Sequence, residues 1–100
     1  MNMQQMMAQA QKMQRELQKA LKELEEKEFT ISKGGAVTVK MYGSNQIISI
    51  SIDEDAFDKD NKDMVEEMVT MAINEGLEMI EKERQAINER ITGQRGGFGF

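Results

Sequence analysis

Lys12, Arg15, Lys19 and Lys22 recur at intervals of three and four residues, a spacing that gathers four cations along one side of a helix. Such a row can meet an anionic partner. It can equally be a solvated face, because Lys12 with Glu16, Lys19 with Glu23 and Lys22 with Glu26 stand at i,i+4, in the weaker Lys-before-Glu order. Arg84, Arg90 and Arg95 place three further cations near the other end of the chain. Arg95-Gly96-Gly97-Phe98 is a single copy of the kind of segment that binds nucleic acid through cationic and stacking contacts, and a single copy is also consistent with a plain tail. The carboxylates between Asp53 and Asp60 lack the spaced ligands, turn glycine and terminal Glu of an EF-hand. They read as a solvated acidic loop, and no metal site is expected.

Residues that are missing narrow the chemistry further. The chain has no His and no Cys, so Ser-His-Asp triads, HExxH zinc sites, thiolate sites, cysteine nucleophiles and disulfide frameworks are all excluded. The remaining options, such as paired carboxylates or a nucleophilic lysine, need a concave pocket that 100 residues rarely enclose. An enzyme is therefore not expected, nor is a cofactor or a small-molecule substrate. No apolar run approaches the ~20 residues that cross a bilayer, and the Met-rich start lacks the basic-then-apolar layout of a signal peptide. No membrane partner is expected, and the expected location is the cytoplasm.

The formal charge of −5 is unevenly spread. Residues 1–27 and 28–52 each balance at +1, residues 53–83 hold twelve acids against Lys59, Lys62 and Lys82, and residues 84–100 return to +2. An anionic partner must therefore meet the two ends of the chain and avoid its middle.

The elements that would carry these charges follow from periodicity. Asn2 to Lys27 contains no Gly, Pro or β-branched residue and reads as one long helix. Its Met3, Met6, Ala10, Met13, Leu17, Ala20 and Leu24 alternate at three and four, as in the a/d seam of a coiled coil, with Met7 and Leu21 widening it. The four basic residues fall on the side away from this seam, whereas Glu16 and Glu23 flank it and are placed to set helix pairing.

Phe29 and Ile31, then Val37, Val39 and Met41, then Ile48, Ile50 and Ile52 alternate with mainly polar residues, separated by Gly34-Gly35 and Gly43-Ser44-Asn45. Period-two alternation between glycine turns predicts a three-stranded antiparallel meander with one apolar face, coverable by one layer of helix. A polar connection from Asp53 to Asp60, with one turn near Ala56 and Phe57, leads to a second helix over about Asn61 to Ile91, capped by Asp60 or Asn61. Gly76 in that helix costs about 1 kcal/mol against Ala, which predicts close approach of another backbone. The expectation is an α+β fold of order αβββα, the meander flanked by two long helices, with residues 1–92 as a single domain. Residues 93–100 form a glycine-rich tail, expected to be disordered in isolation.

Lengths then argue for self-association. A seven-residue strand spans ~23 Å, while helices of 26 and 31 residues span ~39 and ~46 Å. The helices overhang the sheet, so a second copy related by a two-fold axis is the simplest cover for their apolar residues. Met3, Met6, Ala10, Met13 and Leu17, with Ile48 and Ile50, are the candidate dimer interface.

The ensemble of a Met/Gln-rich opening from Met1 to Met13, a basic-acidic helix, a Gly-Gly turn before Val-x-Val, a strand ending in Ile-Asp, Asn74-Glu75-Gly76 within an acidic helix, and a Thr-Gly plus Gly-rich end resembles the YbaB/EbfC family of bacterial nucleoid-associated proteins. The resemblance covers nearly the whole chain. It implies an αβββα subunit, a tweezer-like homodimer, and binding of double-stranded DNA that helps organise the nucleoid and influences gene expression, with no cofactor. Matched to the family's helix positions, the DNA-binding candidates are Lys12, Arg15, Lys19, Lys22, Arg84, Arg90 and Arg95. A different class of reading is a dimeric adaptor that binds another protein through its Met-rich helix ends.

Overall fold

The structure is a computed structural model that describes residues 2–93. The element order is α1 (Met3–Glu26), β1 (Glu28–Lys33), β2 (Val37–Tyr42), β3 (Ile47–Ile52), two short 3-10 turns (Glu54–Ala56 and Lys59–Asn61) and α2 (Lys62–Thr92). The αβββα order expected from periodicity is present. The single turn expected in the acidic connection is in fact two, each closed by an aspartate: the Asp53 side chain accepts from the Asp55 amide, and that of Asp58 from the Asp60 amide. Asn61 occupies the N-cap position of α2, but its side chain makes no capping hydrogen bond.

The three strands form an antiparallel sheet in the order β1-β2-β3. Phe29, Ile31, Val37, Val39 and Met41 are buried, and registers of Phe29 with Met41 and Ile31 with Val39 put them on one face. Against that face α2 lays Ala72, Gly76 and Ile80, which are also buried. Gly76 is where expectation fails in detail. A side chain there would meet the Met41 thioether at 2.7 Å and Ile31 Cδ1 at 2.8 Å, so core side chains occupy the space rather than another backbone. The close backbone approach is at Gly43 instead. A Cβ on that residue would lie 1.8 Å from the Leu24 carbonyl oxygen, and its amide donates to the Lys27 carbonyl at 2.8 Å. The β2–β3 turn is thereby fastened to the end of α1.

Strand β3 departs from the expected pattern. A bulge between Lys40 and Met41 pairs Met41 with Ile47 and leaves Ile48 as the extra residue. Because α2 packs on β1 and β2, β3 is a bare edge, and Ile50 is 44% exposed although it pairs with the fully buried Val39. One layer of helix does not cover this sheet.

The molecule measures 69 × 27 × 15 Å with a radius of gyration of 19.3 Å, against ~13 Å for a compact chain of this length. The excess length is the helix overhang.

Candidate nucleic-acid interface

The overhang is a two-helix arm. Ala20 and Leu24 of α1, with Lys27 just past its end, share a cleft with Glu83, Ile87 and Arg90 of α2, while Gln9, Lys12, Met13 and Glu16 lie around Ile91. Early residues of one helix thus face late residues of the other, and the pair is antiparallel. Contact with α2 runs out near Met13, and cover runs out with it. Leu24 is buried, Leu17, Ala20 and Leu21 are half-buried, and Ala10, Met13, Met7, Met6 and Met3 are exposed. Met3 reaches 76%.

Asn2 starts α1, its side-chain oxygen accepting from the Gln5 amide at 2.8 Å. At 100° per residue, Lys12, Arg15, Lys19 and Lys22 lie about half a turn from the line through Ala10, Leu17 and Leu24, and all four are exposed. Among the described residues none of the four forms an ion pair, and the i,i+4 contacts with Glu16, Glu23 and Glu26 are not made. The solvated-face reading loses its support from those pairs. Four unpaired cations span ~15 Å of helix, a length over which one strand of a duplex presents about four phosphates.

The other cations behave differently. Arg84 is two-thirds covered, and its Nη1 donates to Glu81 Oε2 at 2.6 Å, so it is already engaged. Arg90 is exposed at the edge of the interhelical cleft. Arg95 lies outside the described residues, as does most of the glycine-rich tail. Lys27 and Lys33 bind α2 to β1 through Glu83 and Glu75, and Lys27 also sits 5.1 Å from the Phe29 ring centroid. They are structural cations.

Charge therefore divides along the long axis. In the arm (residues 3–20 and 84–92), Lys12, Arg15, Lys19, Arg84 and Arg90 outweigh Glu16 and Glu89 for a balance of +3. The body (residues 21–83) sets seven cations against sixteen acids, a balance of −9. Among the described residues, no group of acids is arranged to hold a metal ion.

The candidate interface residues fall into two exposed sets. Met3, Met6, Ala10 and Met13 lie on the arm, with Leu17 half-buried behind them, and Ile48 and Ile50 lie on β3. Sequence reasoning did not single out three further exposed apolar residues of the body: Ile47 on β3, Leu77 on α2 and Phe57 in the acidic connection, the last 73% exposed. Ile47 beside Ile48 breaks the strand's alternation and was the readable sign of the bulge. Phe57, isolated in an acidic loop, was readable as an apolar residue with nothing local to cover it.

Among the described residues no helix is long and apolar enough to cross a membrane. The crystal structure of the uncharacterized protein HP0035 from Helicobacter pylori has the same fold, with a TM-score of 0.74 over 93% of this chain and 99% of that one, at 21% identity. A nucleoid-associated protein of Clostridium novyi is 44% identical over 93% of this chain and 82% of its own length. One from Agathobacter rectalis is 41% identical over 99% and 88%, respectively. The model of the YbaB/EbfC DNA-binding family matches residues 1–95, and the chain belongs to that family.

Proposed function

We propose that this chain is a nucleoid-associated protein of the bacterial cytoplasm, working as a homodimer that holds double-stranded DNA on paired α1 arms and so helps organise the chromosome and influences gene expression. The observation that carries the reading is the make-up of α1: an unpaired row of Lys12, Arg15, Lys19 and Lys22 backed by an apolar seam that its own subunit leaves bare. The cations supply phosphate neutralisation and the seam supplies a reason for two copies to join. Arg90 adds charge at the same end, Arg84 contributes only on leaving Glu81, and Arg95 remains a further candidate from the sequence. Family membership and the names of the relatives support DNA and the nucleoid as the setting.

The homodimer buries two surfaces. One is the arm seam of Met3, Met6, Ala10, Met13 and Leu17. The other is the uncovered face of β3, which presents Ile47, Ile48 and Ile50. Each fully buried large apolar side chain contributes roughly 1.5–3 kcal/mol, and an open strand edge invites pairing. With −5 per chain, affinity has to come from local geometry, and the acidic body confines the duplex to the arms.

Fluorescence anisotropy of a labelled duplex tests this, at about 50 and 200 mM salt, with wild type and the quadruple variant Lys12→Ala, Arg15→Ala, Lys19→Ala, Lys22→Ala. The expected result is binding that falls with salt at a log-log slope near −0.9 per phosphate neutralised, and its loss in a variant that sediments as the same dimer. Absence of wild-type binding at both salts overturns the reading. The exposed Met3, Met6 and Met7 favour one second reading, an adaptor that takes another protein on its Met-rich tip, and such a contact would be nearly insensitive to salt.

A further inference from the structure

We infer that the methionines at the tip of α1 make the arm sensitive to peroxide, so that oxidation holds paired arms apart and releases DNA. The inference rests on the proposed arm pairing. With no Cys, His or Trp in the chain, thioethers are the side chains most open to a mild two-electron oxidant. Their placement is uneven. Met3, Met6 and Met7 are 76%, 57% and 56% exposed at the tip, ahead of Met13 at 40% on the same helix and of Met64, Met71 and Met79 at 43%, 48% and 40% on α2, whereas Met41 is fully buried.

The chemistry requires one co-reactant, a peroxide. A thioether lone pair attacks one oxygen of hydrogen peroxide, the O–O bond breaks, sulfur loses two electrons and becomes a sulfoxide, and the departing hydroxide takes up the proton of the transferred oxygen and leaves as water. The product is a polar, hydrogen-bond-accepting group where the seam had an apolar one. Among the described residues nothing covers Met3, Met6 and Met7, so sulfoxides at these three positions act on pairing and not on the core.

Met3, Met6 and Met7 lie beyond the contact with α2 and are exposed in the single subunit, so they react whenever the arms part. Each sulfoxide then opposes their return. Thiol-dependent sulfoxide reduction reverses the change.

The experiment treats the full chain with hydrogen peroxide and follows each methionine by peptide mass spectrometry, self-association by sedimentation, DNA binding by anisotropy and folding by circular dichroism. Met3, Met6 and Met7 should oxidise well ahead of Met41, with self-association and DNA affinity each weakened ~10-fold or more while the thermal transition is retained. The variant Met3→Leu, Met6→Leu, Met7→Leu, Met13→Leu is compared with itself: whatever its self-association and DNA affinity before treatment, the same peroxide exposure, which still reaches Met64, Met71 and Met79, should leave both unchanged. Equal oxidation of Met41 and the tip, or unchanged self-association after the tip has oxidised, overturns the inference. Failure of the DNA reading shows itself separately, as absent binding before any peroxide is added, and sedimentation alone then decides the redox claim.

Discussion

The arm and the body are built from the same helix-forming alphabet, yet they use it for opposite ends. In the body, α2 presses Ala72, Gly76 and Ile80 against Ile31, Val39 and Met41, the charge balance is strongly negative, and the cations Lys27 and Lys33 are tied to partners. In the arm, the apolar residues from Met3 to Met13 are exposed, the balance is positive, and Lys12, Arg15 and Lys19 are unpaired, as is Lys22 at its base. Folding free energy resides where contacts are dense, and affinity for an anion resides where cations are free. A substitution should therefore move stability or binding according to the region it falls in.

The sharpest test of that division is Gly43→Ala. Its new Cβ would lie 1.8 Å from the Leu24 carbonyl oxygen, a backbone atom that cannot swing aside as a side-chain end does. Relief requires breaking the bond from the Gly43 amide to the Lys27 carbonyl or shifting the end of α1. We expect a loss of ~3 kcal/mol or more, read as a lowered urea midpoint. A variant as stable as the wild type would show that the α1–β1 junction is soft and that the body does not anchor the arm.

Gly76→Ala is the milder body test. Ala gains about 1 kcal/mol of helix propensity over Gly, but its methyl meets Met41 and Ile31 within 3 Å, and overpacking costs about 1–3 kcal/mol. The flexible Met41 thioether has nowhere exposed to go, since Met41 is fully buried. The expected net change is a destabilisation of ~1 kcal/mol in urea unfolding. A gain in stability would mean that the core under α2 contains unused space.

How much of this was legible in the sequence follows the same border. Regular alternation and glycine turns gave away the three strands, and the gap-free stretch from Met3 to Glu26 gave away α1, because local periodicity determines both. Helix overhang followed from length alone. What stayed hidden depends on long-range packing: that α2 sits over β1 and β2 and leaves Ile50 bare, that core side chains rather than a backbone fill the space at Gly76, and that Gly43 is pinned by a helix end far away in sequence. On α1, helical periodicity was enough to put Lys12, Arg15, Lys19 and Lys22 on the side away from the seam, where they are exposed, but whether the neighbouring acids would pair with them depended on rotamers. The engagement of Arg84 by Glu81 was readable as an i,i+3 pair.

Smaller effects probe the links between sheet and helix. Lys33 Nζ contacts the Glu75 carboxylate from the β1–β2 turn to α2, with both side chains partly exposed. Solvent screening limits such a pair to ~0.2–1 kcal/mol. A double-mutant cycle of Lys33→Met and Glu75→Gln should return a coupling in that range at low salt and less at high salt. A salt-independent coupling would place the pair in a drier setting than its exposure indicates.

The smallest global effect is expected from Asn2→Ala, and it separates the regions most cleanly. The substitution removes the side-chain cap on the Gln5 amide, a change worth ~1 kcal/mol to a helix end. Were the arm a cooperative part of the fold, the whole amount would appear in the unfolding free energy. Among the described residues nothing covers the first turns of α1 and would transmit it in the isolated subunit, so the loss should remain local: faster hydrogen exchange at the amides of Met3 to Met7, with an unchanged thermal midpoint under dilute, monomeric conditions. Raising the protein concentration until the arms pair should make the same substitution costly, because fraying then opposes association. A midpoint lowered equally at every concentration would join arm and body into one cooperative unit and remove the distinction between them.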